Sequence, residues 1–195
     1  MKRAAEGVRT STNSEIAAKP SWPDELHDLL NAAGVRQVAI VPDAGHARLI
    51  ELCEKDKSMR VVSLTTEEEG VALLAGAWLG GEKGVLLMQS SGVGNCINML
   101  ALPIACQFPL LLLVTMRGDH GEFNPAQIPM GDATQAVLEA LGVIVKRADA
   151  AADVTEMASG ALHLAFNTLR PVALLIGQRV LGAKDFRKLT GGVRL

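Results

Sequence analysis

The sequence holds 195 residues with a formal charge of −2 and a pI near 6.1, which offers no basic footprint for nucleic acid or an anionic membrane surface. Apolar residues make up 49% and aromatic residues only 3%, so Ala, Val, Leu and Gly supply the core, as suits helices packed closely on a sheet. Cys53, Cys96 and Cys106 sit in apolar segments without a CxxC pair, which argues against a disulfide scaffold or zinc site and for buried, reduced thiols in a cytoplasmic protein.

Residues 1–19 are polar and aperiodic and read as a disordered arm, with none of the apolar stretch of a secretory signal. Residues 20–185 are expected to form one domain and 186–195 a tail. Ser21 is placed to cap a helix carrying Leu26, Leu29 and Leu30 that ends at Gly34. A short apolar run at 38–41 is stopped by Pro42-Asp43, and 47–52 reads as helix. Further apolar runs lie at 60–64, 84–88, 110–115, 143–145 and 172–176, none long enough to span a bilayer. These runs are continuous, not alternating, which is the pattern of strands buried on both faces of a parallel sheet. Helical segments fall between them at 67–79, 93–106, 134–141 and 150–169. The alternation predicts an α/β fold, a single three-layer domain with about six parallel strands flanked by helices.

Two turns follow the carboxyl ends of strands, where open α/β sheets place their ligands. The first is Thr65-Thr66-Glu67-Glu68-Glu69-Gly70. Thr66 and Glu69 have the spacing of a capping box, and acidic residues suit the positive end of a helix, which accounts for all three glutamates structurally. Val71, Leu74, Ala75 and Trp78 then form a sheet-facing stripe. Successive helical residues diverge by about 100°, so the glutamates cannot share a direction, and one of them can instead be a buried acid. Gly70, Ala72, Ala75, Gly76 and Ala77 would let a flat ligand or a partner surface approach. A helix N-terminus favours carboxylates, so an acid kept protonated there needs strong desolvation.

The second turn is Met88-Gln89-Ser90-Ser91-Gly92-Val93-Gly94-Asn95. It lacks the third glycine of a dinucleotide fingerprint, because Ile97 stands there, and it lacks a Walker lysine and a nucleophile elbow. Ser90 and Ser91 read as turn formers, with free backbone N–H groups able to meet a ligand. The next helix is expected to bury Ile97, Leu100, Ala101 and Ile104. The segment 117–131 reads as a loop far longer than the two to about six residues usual for such a connection, and it mixes Arg117, Asp119, His120 and Glu122 with apolar residues. His27, His46 and His163 are expected at helix surfaces.

Taken together, these residues resemble the pyrimidine-binding (PYR) domain of thiamine diphosphate enzymes. That pattern sets a glutamate nine residues before a glycine in an alanine-rich helix, followed by a strand and a glycine-containing turn. Glu67 and Gly76 keep the spacing, with Ala75 alongside, which selects Glu67 over Glu68 and Glu69. Within the family the likeness runs furthest with sulfopyruvate decarboxylase alpha subunits. It is carried by Glu67-Glu68-Glu69-Gly70, by Met88 through Asn95, and by Pro125-Ala126-Gln127-Ile128-Pro129-Met130-Gly131. Phosphonopyruvate decarboxylases are similar in the first two segments.

The resemblance implies a subunit of a thiamine diphosphate-dependent 2-oxo acid decarboxylase that turns sulfopyruvate into sulfoacetaldehyde and CO2. Glu67 would hydrogen-bond N1′ of the cofactor's aminopyrimidine and favour the imino tautomer that removes the thiazolium C2 proton. Gln89, Ser90, Gly92, Gly94 and Asn95 would line the cofactor, and Arg117, His120 and Gln127 the substrate, since Arg suits oxyanions, with service at the subunit interface the alternative for Arg117 and His120. The family also needs a Gly-Asp-Gly motif and a later Asn to hold Mg2+ and the diphosphate, which Gly118-Asp119-His120 and Gly131-Asp132-Ala133 do not match. The resemblance therefore implies half an active site. Thiamine diphosphate would lie between this chain and a beta subunit that holds Mg2+, with further contacts between copies of the chain. Phosphonopyruvate or another 2-oxo acid is the alternative substrate, and a non-catalytic assembly module of the same fold is the alternative role. A nucleotide-binding domain is disfavoured by the incomplete glycine fingerprint.

Overall fold

The computed structural model describes residues 21–182, so the arm expected over 1–19 and the tail over 186–195 lie outside the described residues. Each apolar run is a strand: β1 (Val35–Ile40), β2 (Arg60–Ser63), β3 (Lys83–Gln89), β4 (Leu110–Thr115), β5 (Ile144–Ala148) and β6 (Pro171–Ile176). They form one parallel sheet in the order β2-β1-β3-β4-β6-β5. The helices are α1 (Trp22–Ala32), α2 (Ala47–Lys55), α3 (Glu67–Leu79), α4 (Ser90–Cys96), α5 (Ala101–Cys106), α6 (Ile128–Ala140), α7 (Val154–Thr168) and α8 (Gln178–Leu181).

Successive strand side chains point to opposite faces, so a central strand covered by helices on both sides must be apolar throughout. Val85, Leu87, Leu111, Leu113, Val172 and Leu174 pack with α1, α2 and α7. Leu86, Met88, Leu110, Leu112, Val114 and Leu175 pack on the other face with α3 to α6. Each such leucine contributes about 1.5–3 kcal/mol by leaving water. Burial on both faces holds for β4 and β6 but fails at the edges. Arg60 and Ser63 of β2 and Lys146 of β5 are exposed, because an edge strand meets less helix.

Other expectations are corrected as well. The segment 93–106 is not one helix: α4 ends at Cys96 and α5 begins at Ala101. Pro103 has no N–H to give Met99 and its ring would clash with that carbonyl; Met99 O accepts from Leu102 N instead. Leu100 stays buried, but the break turns Ile97 and Ile104 outward to about 40% exposure, and Ala101 is exposed. The glycine segment is not a turn but the body of α4. The long loop is shorter than read, because α6 starts at Ile128 with Pro129 in its first turn, where a missing N–H costs nothing. Finally, Cys106 is exposed and His46 is buried, whereas Cys53 and Cys96 are buried as expected, their thiols pushed up to about 12 by burial.

The chain runs from β1 out to β2 and returns past β1 to β3. Helix α2, after β1, packs on one face, while α3 and α4 pack on the other. Such a reversal opens a crevice at the carboxyl ends of the central strands. Among the described residues no helix is long and apolar enough to cross a membrane.

Candidate active site

Glu67 opens α3 at the mouth of this crevice. Leu64 N donates to Ile40 O at 2.9 Å, which carries the chain along β1 before Thr66 turns it into the helix from an extended conformation. The capping box does not form as read. The Thr66 side chain caps nothing, and Glu69 reaches back to Thr65 N at 2.8 Å, one residue further. The three glutamates part as the helical rotation requires: Glu68 and Glu69 are exposed, and Glu67 is only 7% exposed.

A glycine shelf makes room for that carboxylate. A Cβ on Gly92 would lie 2.6 Å from Glu67 Cγ and 2.5 Å from Cδ, so no other residue fits there without displacing the acid. Asn95, one turn along α4, donates from Nδ2 to Glu67 Oε2 at 2.7 Å. Among the described residues no cation pairs with Glu67, and Oε1 has no donor. The arrangement is a buried carboxyl group seated against the backbone of Gly92, with one oxygen held by Asn95 and the other without a donor.

The other residues read as cofactor contacts lie at the end of β3 and along α4. Gln89 Nε2 donates to Ser91 Oγ at 2.6 Å. Ser90 is buried, its Oγ accepting from Arg117 N at 3.1 Å and its carbonyl from Thr134 Oγ1 at 3.4 Å. Gly94 faces Met130, whose sulfur a Cβ would approach to 3.2 Å.

Of the three residues read as substrate contacts, Arg117 is held by Glu122 at 2.6 Å through both Nε and Nη2. His120 donates its backbone N–H to Gln178 Oε1 at 3.0 Å, and it lines a charged hollow with Asp119, Arg147, Asp149 and Arg179. Gln127 Oε1 is buried without a donor. Hydrogen bonds to Arg117 hold the Glu122 carboxyl at about 2, well below its ordinary 4.5.

The sequence reading missed three residues at these strand ends. Asp43, noted only as a strand stop, accepts from Thr115 Oγ1 at 2.5 Å and from Gly45 N at 3.0 Å. It lines a cavity of about 220 Å3 with Trp22, Arg117 and Gln178. Beneath it His46 bonds Leu113 O through Nε2 at 3.0 Å, its Nδ1 buried and unpartnered. Burial pushes its pKa below the ordinary 6.5 against the pull of nearby Asp43. Gln178, far along the chain, had no motif to announce it; Pro42-Asp43 after a strand was the one available signal.

The model of the thiamine pyrophosphate enzyme, N-terminal TPP binding domain, matches residues 23–141. The chain belongs to this family. The matched segment of this TPP-binding domain contains Glu67, the whole of α4, Arg117, His120 and Gln127. The chain is 36% identical over 145 residues to the sulfopyruvate decarboxylase subunit alpha of Methanococcus maripaludis, covering 74% of this chain and 87% of that one. It is 38% identical over 112 residues to the phosphonopyruvate decarboxylase of Streptomyces viridochromogenes, covering 56% of this chain but 28% of that one. Among solved structures, the 2-oxoglutarate:ferredoxin oxidoreductase of Magnetococcus marinus superposes with a TM-score of 0.63 at 16% identity. That match covers 83% of this chain and 29% of the larger one, and it shows the shared fold.

Proposed function

We propose that this TPP-binding domain is the alpha subunit of a thiamine diphosphate-dependent decarboxylase that converts sulfopyruvate to sulfoacetaldehyde and CO2. The observation that carries the reading is Glu67, buried on the Gly92 shelf with Asn95 on one oxygen and the other open. The likeness to a protein named sulfopyruvate decarboxylase subunit alpha, over most of both chains, supports the substrate and the need for a second subunit. The protein belongs in the cytoplasm on this reading, in keeping with its reduced cysteines.

Bound thiamine diphosphate would supply the carbanion chemistry that lets a 2-oxo acid lose CO2. The protein's part is narrower. Glu67 would hold a proton at N1′ of the aminopyrimidine, Asn95 would keep its carboxyl aimed, Gly92 would leave room for that carboxyl, and Gly94 would line the cofactor beside it. Gln89 and Ser90 would form the wall beside the ring. His120 and Gln127 would face the substrate side. The beta subunit would hold Mg2+ and the diphosphate, because the Gly-Asp-Gly motif has no match in this sequence. Copies of the whole assembly would associate further through this chain.

A phosphonopyruvate substrate is the second reading, favoured by the 38% identity to the Streptomyces enzyme. Both acids put a tetrahedral anion on C3 of pyruvate, so one site can be tested with each. The test is to capture the tagged chain with its partner from its native extract. CO2 release from sulfopyruvate and from phosphonopyruvate is then measured with and without thiamine diphosphate and Mg2+. Cofactor-dependent release from sulfopyruvate is the expected result. Preference for phosphonopyruvate moves the substrate, and an assembled complex inert on every 2-oxo acid leaves an assembly module.

A further inference from the structure

We propose that Arg117, with Glu122 and Gln178, is a positioning residue that fixes the first turn of α4 beneath Glu67, and that it does not bind the substrate's anionic end. The inference rests on the reading of Glu67 as the residue that meets the cofactor.

The charge of Arg117 is already engaged. Its Nε and Nη2 both donate to Glu122 at 2.6 Å, and the two side chains are only 12% and 2% exposed. The Phe123 ring lies 5.5 Å from the guanidinium carbon. Asp43 adds a second negative charge nearby, and like Glu122 it favours the charged guanidinium. An incoming sulfonate or carboxylate would meet a cation that one carboxylate neutralises and another flanks. A free oxyanion site has the opposite balance.

Glu122 is equally committed. Besides Arg117 it accepts from Asn124 N at 3.0 Å, Gly118 N at 3.3 Å and Gln178 Nε2 at 2.9 Å, which uses the full acceptor capacity of a carboxylate. Gln178, itself 4% exposed, accepts from His120 N at 3.0 Å and donates its own backbone N–H to Asp119 at 3.2 Å. The loop after β4 is therefore laced to the first residue of α8.

What Arg117 does reach is the junction of β3 and α4. Its backbone N–H donates to Ser90 Oγ at 3.1 Å, and Nη1 reaches Gln89 Oε1 at 3.4 Å. Gln89 in turn donates to Ser91 Oγ at 2.6 Å. Gln89, Ser90 and Ser91 are the three residues before Gly92, so the grip ends at the shelf under Glu67. A shift in this turn would move the shelf and Asn95 together and be read in cofactor binding, with substrate binding spared.

The test uses the complex of this chain with its partner subunit, with Arg117→Lys, Glu122→Gln, the double variant, and Gln178→Leu as a milder change that leaves the ion pair in place. Thiamine diphosphate affinity is measured by calorimetry, and the KM for sulfopyruvate at saturating cofactor. Expected are a loss of cofactor affinity of about tenfold in each single variant of the pair and a double variant no worse than the weaker single, as for residues acting as one unit. Gln178→Leu should weaken cofactor binding about threefold, with KM within about threefold throughout. A KM raised more than about tenfold at unchanged cofactor affinity makes Arg117 the anion ligand and overturns the inference. Unchanged cofactor affinity and KM together also overturn it. Glu67→Gln run in parallel separates the two claims: if it leaves both cofactor affinity and turnover intact, the reading of Glu67 fails whatever Arg117 does.

Discussion

Gly92 and Glu67 touch so closely that one methyl group tests their relation. In a helix, Gly→Ala ordinarily stabilises by about 0.5–1 kcal/mol. Here the added Cβ would lie within 2.6 Å of three Glu67 side-chain atoms, so the carboxyl must leave its position. Gly92→Ala is expected to melt within a few degrees of the wild type while losing at least about 100-fold in CO2 release from the complex, the scale of a displaced proton-handling group. Thermal melting and turnover measured on one preparation check it. Two other side chains, both buried, contribute to the acid limit of stability. His46 is pushed below its ordinary 6.5 by burial, so the unfolded chain takes up that proton first. Its contribution is complete above pH 6.5 and is lost as pH falls below that value. Glu122, held at about 2 against an ordinary 4.5, contributes fully above pH 4.5 and loses that contribution as pH falls towards 2. Melting temperature followed from pH 8 to 3 should fall in these two stages, and His46→Asn should remove the upper one.

The order of the elements was legible because central parallel strands must feed two helical layers. Leu110 to Val114, apolar at every position and, with Thr115, buried throughout, leaves little choice but a strand with helices on both faces. Element ends were less legible, for local reasons. Pro103 breaks the run from Val93 to Cys106 at a place where apolar periodicity continues unbroken. Pro129, read as a loop residue, sits in a helix's first turn, where proline is welcome. That helix start also seats the loop that grips α4. A Cβ on Gly131 would collide with the Arg117 carbonyl oxygen and come within 3.0 Å of its carbonyl carbon. Because the obstacle is backbone, Gly131→Ala should cost about 2–3 kcal/mol, as overpacking does, and chemical denaturation should show it as a lower midpoint at unchanged slope.

Across the whole molecule, the burial of Glu67 among the three glutamates was legible through its spacing to Gly76, whereas its hydrogen bond to Asn95 was not read from the sequence. Asp43, His46 and Gln178 were not, because their surroundings arise only when the strand order reverses and sets the carboxyl ends of β1, β4 and β6 on one edge of the sheet. Burial of the cysteines followed from composition in two of three cases. With the Cys53 and Cys96 thiols pushed up to about 12 and Cys106 exposed, a thiol reagent on the native chain should label Cys106 alone. Mass spectrometry of the labelled peptides checks this, and unfolding should release the other two.

Glu67→Gln in the assembled complex tests the central assignment most directly. The substitution keeps the shape and the Asn95 contact but removes the ionisable oxygen. CO2 release from sulfopyruvate with saturating thiamine diphosphate and Mg2+ should fall by at least about 100-fold, with the two subunits still co-purifying. Wild-type turnover in an intact Glu67→Gln complex would contradict the role assigned to the buried carboxylate.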